Sequence, residues 1–409
     1  MNIIGALAVK AEPLLLFLKQ VVIINDISSS KLQLNIEDFN LSSRVKDFLQ
    51  KYRQEIWLVG GAARDKILGR EPEDYDFLIT GRQEQEIREL LSPASKVGKI
   101  FPVYLWRKVE FSWTPEQTPH RDLAGRDLTI NSLAVNLADG RIIDPHGGLQ
   151  DLHRGLIQFL PGALDSDPHR FYRALRFLAR LPSFYLTEES WKKLVELPEN
   201  NLEQIEAERV AEEFKKILTA RAGERFFFAL AALEKPGSYF SWFPVDEIMP
   251  SVKRWRSAYF LTDSKKLLFI SLILSFIDAD KLDRLHRKLP LAKKWFRAAA
   301  IAARAIPHIK NWKSVDCEKL VETYNNLELG VLTPAESVLI ARACEISNFN
   351  FPKIFGRNYY QGLQEMWEHM RQEIRGEDLL RIMDAGPELG EELFQRRSQW
   401  LEENRRYFK

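Results

Sequence analysis

The sequence predicts an α+β fold, in which a small mixed β-sheet with its helices comes first and an all-helical part follows. Up to about Leu160, short apolar strand-like runs alternate with helical runs. Within this part, SLAVNL and RIIDP flank Ala138-Asp139-Gly140, which is a strong signal for a β-hairpin. Beyond Pro161 the remaining segments show helical periodicity. These patterns indicate a mixed head followed by a long helical body.

The elements of the head follow from their local patterns. Ser42 and Ser43 are expected to cap a helix over RVKDFLQKYRQ, which leads into a strand at Ile56. Gln83–Leu91 predicts a helix, and residues 101–106 and 108–113 predict two neighbouring strands. In the helical part, we expect breaks at Pro182, Pro236, Pro244, Pro250, Pro290, Pro307, Pro334, Pro352 and Pro387.

Composition describes an ordinary soluble protein of two or three domains. The formal net charge of +2 permits a polyanionic partner without requiring one. Cys317 and Cys344 are far apart, so neither a disulfide framework nor a zinc site is expected, and a cytoplasmic location is predicted. Lys10, Glu12, Pro13 and Lys19 interrupt the apolar N-terminus, which predicts a soluble extension and no membrane span.

The stretch Ile56–Thr80 carries the main chemical signal. A strand leads into Gly60-Gly61 and a helical run, after which Asp74 and Asp76 begin a second apolar segment. Residues two apart in a strand point to the same side, and two such carboxylates repel each other unless a cation lies between them. Hard oxygen ligands of this kind suit Mg²⁺, which keeps positions for substrate phosphates. The alternative is a solvated strand end.

The Gly60-Gly61 turn predicts an approach of the backbone to a phosphate group. The helix behind the turn offers free N–H groups, and Arg64, one turn into this helix, can reach the same anion. A tight turn that needs glycine for its dihedral angles explains the two glycines equally well.

A second signal is the basic helix predicted over SDPHRFYRALRFLARL (166–181). Asp167 is expected to cap it, with Pro168 in the first turn. Arginines recur every three or four residues and share a face, while Phe171, Leu175 and Leu178 form the apolar face. The arginines of that face are Arg170, Arg173, Arg176 and Arg180. A solvated basic side is the simpler interpretation of these arginines.

Together these segments resemble a known family. GGAARDKILGREPEDYDF is similar to the signature of the nucleotidyltransferase branch that holds bacterial poly(A) polymerases and class II tRNA CCA-adding enzymes. GRDLTINSLAV (125–135), IIDPHGGLQDL (142–152) and the basic helix resemble the next family elements. EAERVAEEFKKIL (206–218) and IRGEDLLRIMDAGPELGEEL (374–393) resemble later ones. The resemblance implies a nucleotidyltransferase head with a small mixed β-sheet, followed by an all-helical neck, body and tail.

The resemblance also implies roles for individual residues. Asp74 and Asp76 would bind Mg²⁺, and Glu110 is a candidate third carboxylate on what we expect to be an edge strand. The residues implied to hold the incoming nucleotide are Gly60, Gly61, Arg64, Arg126, Asp127, Asp167, Arg170, Arg173 and Arg176. Gly125 replaces an arginine of the family that contacts the triphosphate, and Arg121 is an alternative donor.

Asp167 and Arg170 match the pair that reads the incoming base in the family. A carboxylate accepts from an exocyclic amine, and a guanidinium donates to the adjacent ring nitrogen. Cytosine and adenine present this pattern, whereas uracil and guanine present the opposite polarity. The pair therefore predicts selection of C and A.

The implied activity is nucleotide addition to the 3′ end of tRNA. Arg126 follows only sixteen positions after Glu110, which leaves little room for the loop that enzymes completing CCA carry there. We therefore expect addition of two cytidines from CTP, with a separate A-adding enzyme acting next. The alternatives are a full CCA-adding enzyme that also uses ATP and, third, a poly(A) polymerase.

The resemblance divides the chain into five predicted segments. These are an N-terminal extension (1–45), the head (46–150), a neck with the base-reading helix (151–220), a helical body (221–330) and an RNA-binding helical tail (331–409). The helical part is expected to bind the acceptor and T arms of tRNA by shape and phosphate contacts. Basic residues of Arg357–Arg375 and Arg396–Arg406 are candidates for these contacts.

Overall fold

The computed structural model describes residues 31–98, 102–107, 109–233, 237–240, 248–259, 261–273, 279–328, 333, 335–341, 357–379 and 387–408. The chain divides into two compact units, Met1–Leu202 and Glu203–Lys409. This boundary lies within the predicted neck, and the finer division into five segments stays a prediction.

The first unit is built on a seven-stranded sheet with the strand order β3-β4-β5-β2-β1-β6-β7. β2 and β5 run parallel and the other pairs antiparallel, so the sheet is mixed, as predicted. The strands are β1 (Ile56–Val59), β2 (Asp76–Thr80), β3 (Ser95–Val97), β4 (Val103–Trp106), β5 (Val109–Thr114), β6 (Ala134–Asn136) and β7 (Ile142–Ile143). β6 and β7 form the predicted hairpin.

Alternation of side chains explains how the central strands are buried. Trp57 and Val59 of β1 pack with Leu78 of β2 and Ala134 of β6 in one apolar cluster. On the opposite face, the Phe77 ring stacks on Phe111 of β5 at 5.5 Å between centroids.

The described part of the first unit also contains helices. They are α1 (Ser43–Lys51), α2 (Gly60–Ile67), α3 (Glu84–Leu90), α4 (His120–Ala124), α5 (Gly148–Arg154), α6 (Ala163–Ser166), α7 (Arg170–Arg180), α8 (Glu188–Glu196) and α9 (Glu199–Glu203). Short 3-10 helices occur at Ile36–Asp38 and Thr129–Asn131. The predictions of α1 after Ser42 and of α3 are confirmed.

Two helices begin next to the segments that carry the candidate site residues. α2 begins at Gly60 itself, directly after β1, because Gly60 has a φ of 63° and turns the chain without a separate loop. α7 begins at Arg170. Asp167 is extended after α6, and its Oδ1 accepts from the backbone N–H of His169 at 3.2 Å, so it caps the turn that leads into α7, as predicted.

The predicted neck (151–220) contains a small sheet, so it is not all-helical as expected. β8 (Leu156–Ile157) pairs in parallel with β9 (Tyr185–Leu186), on either side of α7. Strands of two residues are too short to leave an alternating pattern in the sequence.

Part of the predicted N-terminal extension packs on the sheet. Lys31 forms a β-bridge with Arg141, and the N–H of Leu32 donates to the carbonyl of Gly140 at 2.8 Å. Phe39 is buried and lies 4.9 Å from the ring of Tyr75. The extension before residue 31 lies outside the described residues.

The second unit is helical throughout its described residues. Its helices are α10 (Ala207–Leu218), α11 (Glu224–Leu233), α12 (Gly237–Phe240), α13 (Ile248–Tyr259), α14 (Lys265–Ile273), α15 (Ala279–Lys288), α16 (Lys293–Lys310), α17 (Cys317–Glu328), α18 (Arg357–Glu373), α19 (Gly376–Leu379) and α20 (Pro387–Asn404). Residues 335–341 are also helical, and a 3-10 turn, Arg405–Tyr407, follows α20. The described helices include none that is long and apolar enough to cross a membrane.

Two of the predicted proline breaks are wrong. Pro250 lies in the first turn of α13, where a backbone N–H has no helical partner to lose. Pro307 lies in the last turn of α16, so only the end of the helix is affected. Pro236, Pro244, Pro334 and Pro352 lie outside the described residues. The predicted fold class, a mixed-sheet head and a helical remainder, is confirmed.

Candidate active site

The predicted carboxylates gather at one end of the central parallel strand pair. Asp76 is the first residue of β2, and its register partner in β5 is Glu110. Partners in a parallel pair point to the same face, so the two carboxylates lie side by side. The expectation that Glu110 lies on an edge strand is wrong, because β5 lies between β4 and β2.

Asp74 lies close to this pair but outside the strand. It is exposed in a bend before β2, so the prediction that both aspartates share one strand face is wrong. Burial raises the pKa of Asp76 to about 6; Arg126 opposes this shift, whereas Glu110 and Asp74 add to it. Both of the other carboxylates therefore act electrostatically on Asp76.

Arg126 faces Asp76 across the start of α2. Its Nε and Nη2 donate to Oδ2 of Asp122 at 2.9 and 2.7 Å. A Cβ at Gly60 would lie 2.7 Å from Nη1 of Arg126 and 3.6 Å from Oδ2 of Asp76. Burial opposes the charge of Arg126, but Asp122 and Asp76 outweigh it, and the pKa of Arg126 is raised. Glycine at position 60 thus lets a guanidinium and a carboxylate meet against the backbone.

Asp127 ties the sheet region to helix α7. The Arg173 Nε donates to its Oδ2 at 2.9 Å, and the N–H of Leu128 donates to its Oδ1 at 2.9 Å. Burial opposes ionisation of Asp127, but Arg173, Asn131 and Arg170 together outweigh it and hold the pKa of this carboxyl well below its usual range. Asp127 is therefore an anchored carboxylate.

The base-reading pair predicted from the sequence lies beside these groups. The Nη2 of Arg170 donates to the carbonyl of Gly125 at 2.6 Å, and its Nη1 donates to the carbonyl of Arg126 at 3.1 Å. Asp167 is close enough to stabilise the charge of Arg170, although burial dominates and lowers the pKa of this arginine. Backbone carbonyls thus hold the guanidinium in a fixed orientation.

The structure surrounds Arg64 with protein groups. Its guanidinium is 1% exposed and donates to Oδ1 of Asp65 and to Oδ1 of Asn131, the latter at 2.6 Å. Arg176 is also buried, with its guanidinium 4.3 Å from the centroid of the Phe177 ring. These two arginines therefore form a second cluster, and Gly61 adjoins it, with the position of a Cβ 3.6 Å from Nη2 of Arg64. Their contact with a triphosphate stays a prediction.

Sequence reasoning missed three groups that organise the site. Asn131 lies in the Thr129–Asn131 turn, and its Nδ2 donates to Oδ1 of Asp127 at 2.9 Å. Asp65 accepts from Arg64 and Arg180, and Asp122 accepts from Arg126. The signal for Asn131 and Asp65 was present, since both belong to segments that resemble the family. Arg121, the alternative donor, is mainly exposed and pairs with Glu116.

The carboxylates of the site have the chemistry of magnesium ligands. Asp74, Asp76 and Glu110 supply hard oxygen atoms, and their mutual repulsion favours a bound cation. Across the described ranges, no group of three or more His, Cys, Asp or Glu side chains has an arrangement that could hold a metal ion by itself. Mg²⁺ in proteins commonly keeps coordination positions for substrate phosphates.

The head agrees with a known protein family. The sequence model of the poly A polymerase head domain matches residues 56–103 and 99–158 of this chain. A multifunctional CCA protein of Nitrosospira multiformis is 36% identical over 197 residues, which cover 43% of this chain and 47% of that protein. Its counterpart in Haemophilus influenzae is 35% identical over 199 residues, 43% of this chain and 47% of that protein. The chain thus spans about half the length of these curated relatives.

Solved structures extend the likeness of the fold to most of the chain. A Thermotoga maritima CCA-adding enzyme complexed with tRNA has a TM-score of 0.61 at 20% identity, covering 95% of this chain and 100% of that one. The Bacillus stearothermophilus CCA-adding enzyme in complex with CTP also has a TM-score of 0.61 at 20% identity, covering 88% and 96%. At 20% sequence identity, this structural similarity establishes the fold of the chain and nothing more.

Residues 56–158 are thus similar in sequence to the poly A polymerase head domain, and the chain has the fold of the solved CCA-adding enzymes. The similarity of the head supports the resemblance to class II tRNA nucleotidyltransferases that its motifs predicted.

Proposed function

We propose that this protein adds nucleotides to the 3′ end of tRNA without a template, and that it adds two cytidines from CTP. The observation that carries the proposal is one continuous cluster. It joins the carboxylates of Asp76 and Glu110, through Arg126 and Asp127, to the arginines of α7. Relatives named multifunctional CCA proteins support this class of reaction.

The reaction transfers a nucleotidyl group. The 3′-hydroxyl oxygen of the RNA attacks the α-phosphorus of CTP, the bond to the β-phosphate oxygen breaks, and pyrophosphate leaves. Mg²⁺ held by Asp74 and Asp76, with Glu110 as a candidate further ligand, would lower the pKa of the hydroxyl and neutralise the leaving group. Arg126 and Arg173 supply positive charge next to the same carboxylates, and Asp127 fixes Arg173 in place.

Selection of the base rests on Asp167 and Arg170. The carbonyls of Gly125 and Arg126 hold the Arg170 guanidinium, which limits its rotation. A fixed carboxylate and guanidinium leave uracil and guanine with unpaired polar groups, and such sites reject the wrong partner strongly.

A short, restrained segment before Arg126 supports the preference for CC addition. Only residues 115–119 separate β5 from α4. The N–H of Gly81 donates to the carbonyl of Glu116 at 2.8 Å, and the side chain of Glu116 pairs with Arg121 at 2.7 Å. This segment leaves little freedom for the movement that a switch from C to A needs. Full CCA addition is the alternative, and poly(A) polymerase activity is the third candidate.

A primer-extension assay separates these activities. The purified protein is offered tRNA that ends at the discriminator base, at C or at CC, with CTP and ATP supplied separately in the presence of Mg²⁺. We expect growth by two cytidines and no further addition. Ready addition of A to tRNA ending in CC would establish the full CCA activity instead, and long A tracts on several RNAs would establish a poly(A) polymerase.

Helix α16 is the surface that best suits the tRNA backbone. From residue 284 to residue 315 the sequence has nine Lys and Arg and no Asp or Glu. Lys293, Arg297 and Arg304 are exposed and, at spacings of four and seven, share one helix face. The arginines predicted from the tail are more often paired, for example Arg375 with Asp378 and Arg396 with Glu392. We therefore propose that this face of α16 contacts the acceptor and T arms of tRNA.

Neutralising this face is expected to weaken tRNA binding electrostatically. In the triple variant Lys293→Gln, Arg297→Gln, Arg304→Gln, the slope of log affinity against log salt should fall by about 3, because each lost phosphate contact removes about one unit. Filter binding of tRNA at several salt concentrations measures the slope. Lys192→Gln with Lys193→Gln is the matched control, since these lysines pair with Glu196 and Glu189. An unchanged slope in the triple variant would contradict the assignment.

A cytoplasmic location and a separate A-adding partner stay predictions.

A further inference from the structure

A continuous line of polar side chains runs from Arg173 through the interior of the head to Arg180. Arg173 binds Asp127, whose Oδ1 accepts from Nδ2 of Asn131 at 2.9 Å. Oδ1 of Asn131 accepts from Nη1 of Arg64 at 2.6 Å. We call this set the Asn131 relay: Arg173, Asp127, Asn131, Arg64, Asp65 and Arg180.

The second half of the Asn131 relay returns to helix α7. Arg64 Nε and Nη2 donate to Oδ1 of Asp65 at 2.8 and 2.7 Å, and Arg180 Nη2 donates to Oδ2 of Asp65 at 3.0 Å. Arg180 also reaches Glu73, next to Asp74, at 3.1 Å. Glu73 is mainly exposed, so water screens that last contact.

The position of Asn131, in the middle of the Asn131 relay, requires an amide side chain. Asp127 can only accept hydrogen bonds while it is ionised, and Arg64 can only donate. Asn131 satisfies both with one side chain, because its NH₂ faces the carboxylate and its oxygen faces the guanidinium. An aspartate there would oppose Asp127, and an apolar residue would leave two buried charged groups short of a partner.

The Asn131 relay fixes helix α7 at two points. Arg173 and Arg180 are seven residues apart, which is two turns or about 10 Å along the helix. Arg170 lies one turn before Arg173 on the same helix. Loss of the relay would free α7 to shift against the head, and the Arg170 guanidinium would shift with it.

We propose that Asn131, Asp65 and Arg180 are positioning residues for nucleotide selection. They touch no nucleotide themselves; they hold α7 so that Arg170 and Asp167 present one fixed hydrogen-bonding pattern to the base. The inference rests on the proposed function, because it assigns base reading to that pair. Discrimination between cytosine and uracil depends on the position of single hydrogen bonds, so a small displacement is enough to weaken it.

The test compares CTP with UTP in single-nucleotide addition to tRNA. For Asn131→Ala, Asp65→Asn and Arg180→Ala, the ratio of kcat/KM for CTP to kcat/KM for UTP should fall by about tenfold or more. Arg180→Lys, which keeps the charge, should recover part of the ratio. Thermal unfolding of each variant runs in parallel, because a residue that only stabilises the fold would lower the melting temperature and leave the ratio unchanged.

Arg82→Ala is the matched control. Arg82 is about as exposed as Arg180 and donates to both carboxylate oxygens of Glu55 at 2.5 and 3.0 Å. It lies just after the C-terminal end of β2, whereas Asp76 is the first residue of this strand. The Arg82→Ala variant should be less stable than the wild type and keep the same ratio of kcat/KM for CTP to kcat/KM for UTP. If all three relay variants fold and keep the wild-type ratio, the inference is wrong. If the wild-type protein itself adds no nucleotide to tRNA, the proposed function fails, which is a different outcome.

Discussion

Asp76→Asn is expected to reduce CMP addition to tRNA by about a thousandfold or more. The substitution keeps the shape of the side chain and removes the charge that would hold a cation between Asp76, Asp74 and the substrate phosphates. Single-turnover addition of labelled CTP to tRNA measures the loss.

The melting temperature of Asp76→Asn shows whether its loss of activity comes from misfolding. Asp76 is a mostly buried carboxylate repelled by Glu110 and Asp74, so the neutral amide should leave the melting temperature unchanged or raise it. Asp47→Asn, on the exposed side of α1, is the control and should change neither quantity. More than a tenth of wild-type activity in Asp76→Asn would show that this carboxylate has no central role.

Gly60→Ala should lower kcat/KM by about a hundredfold, because a displacement of about 1 Å at a reacting site costs that much. The new methyl group would lie 2.7 Å from Nη1 of Arg126, so this guanidinium has to move away from Asp76. The same substitution strains the backbone, since Gly60 has a φ of 63°.

The control variant Gly69→Ala separates backbone strain from the contact with Arg126. Gly69 has a φ of 68°, but a Cβ there would have no neighbour within 4 Å. Both variants should lose about 1–2 kcal/mol of unfolding free energy through backbone strain, and only Gly60→Ala should lose activity. Chemical unfolding and steady-state addition of CMP measure the pair. Equal activities in the two variants would show that the contact between Gly60 and Arg126 is unimportant.

Much of the head could be predicted because its signals are local. The strand at Ile56, the helix after Ser42, the helix ending near Leu91 and the hairpin around Ala138-Asp139-Gly140 each follow from residues within one element. The cap at Asp167 is local as well, because its side chain accepts from the N–H of His169 two residues later. The ends of helices are less predictable. Pro307 reads as a break in the sequence, which does not show how close a proline lies to the end of a helix.

The candidate site was predicted in its residue types rather than in its contacts. Asp76, Arg126, Asp127, Arg170 and Arg173 come together. The contacts of Arg64 with Asp65 and Asn131 were not predicted, and its role in holding phosphate stays a prediction. A pattern of spacing cannot reveal which charged group is buried, because burial depends on elements that are distant in the chain.

By itself, the sequence determined the mixed-sheet head, the helical remainder and the set of acidic and basic residues that carry the chemistry. These depend on periodicity and on motifs, which act over a few residues. Only the tertiary structure decided that Glu110 lies beside Asp76 in an interior strand and that Asn131 joins two charged clusters. The pairing of β2 with β5 and the contact between Asn131 and Arg64 join residues that are 34 and 67 positions apart. Such contacts exist only once the sheet has formed and α2 has packed against the Thr129–Asn131 turn.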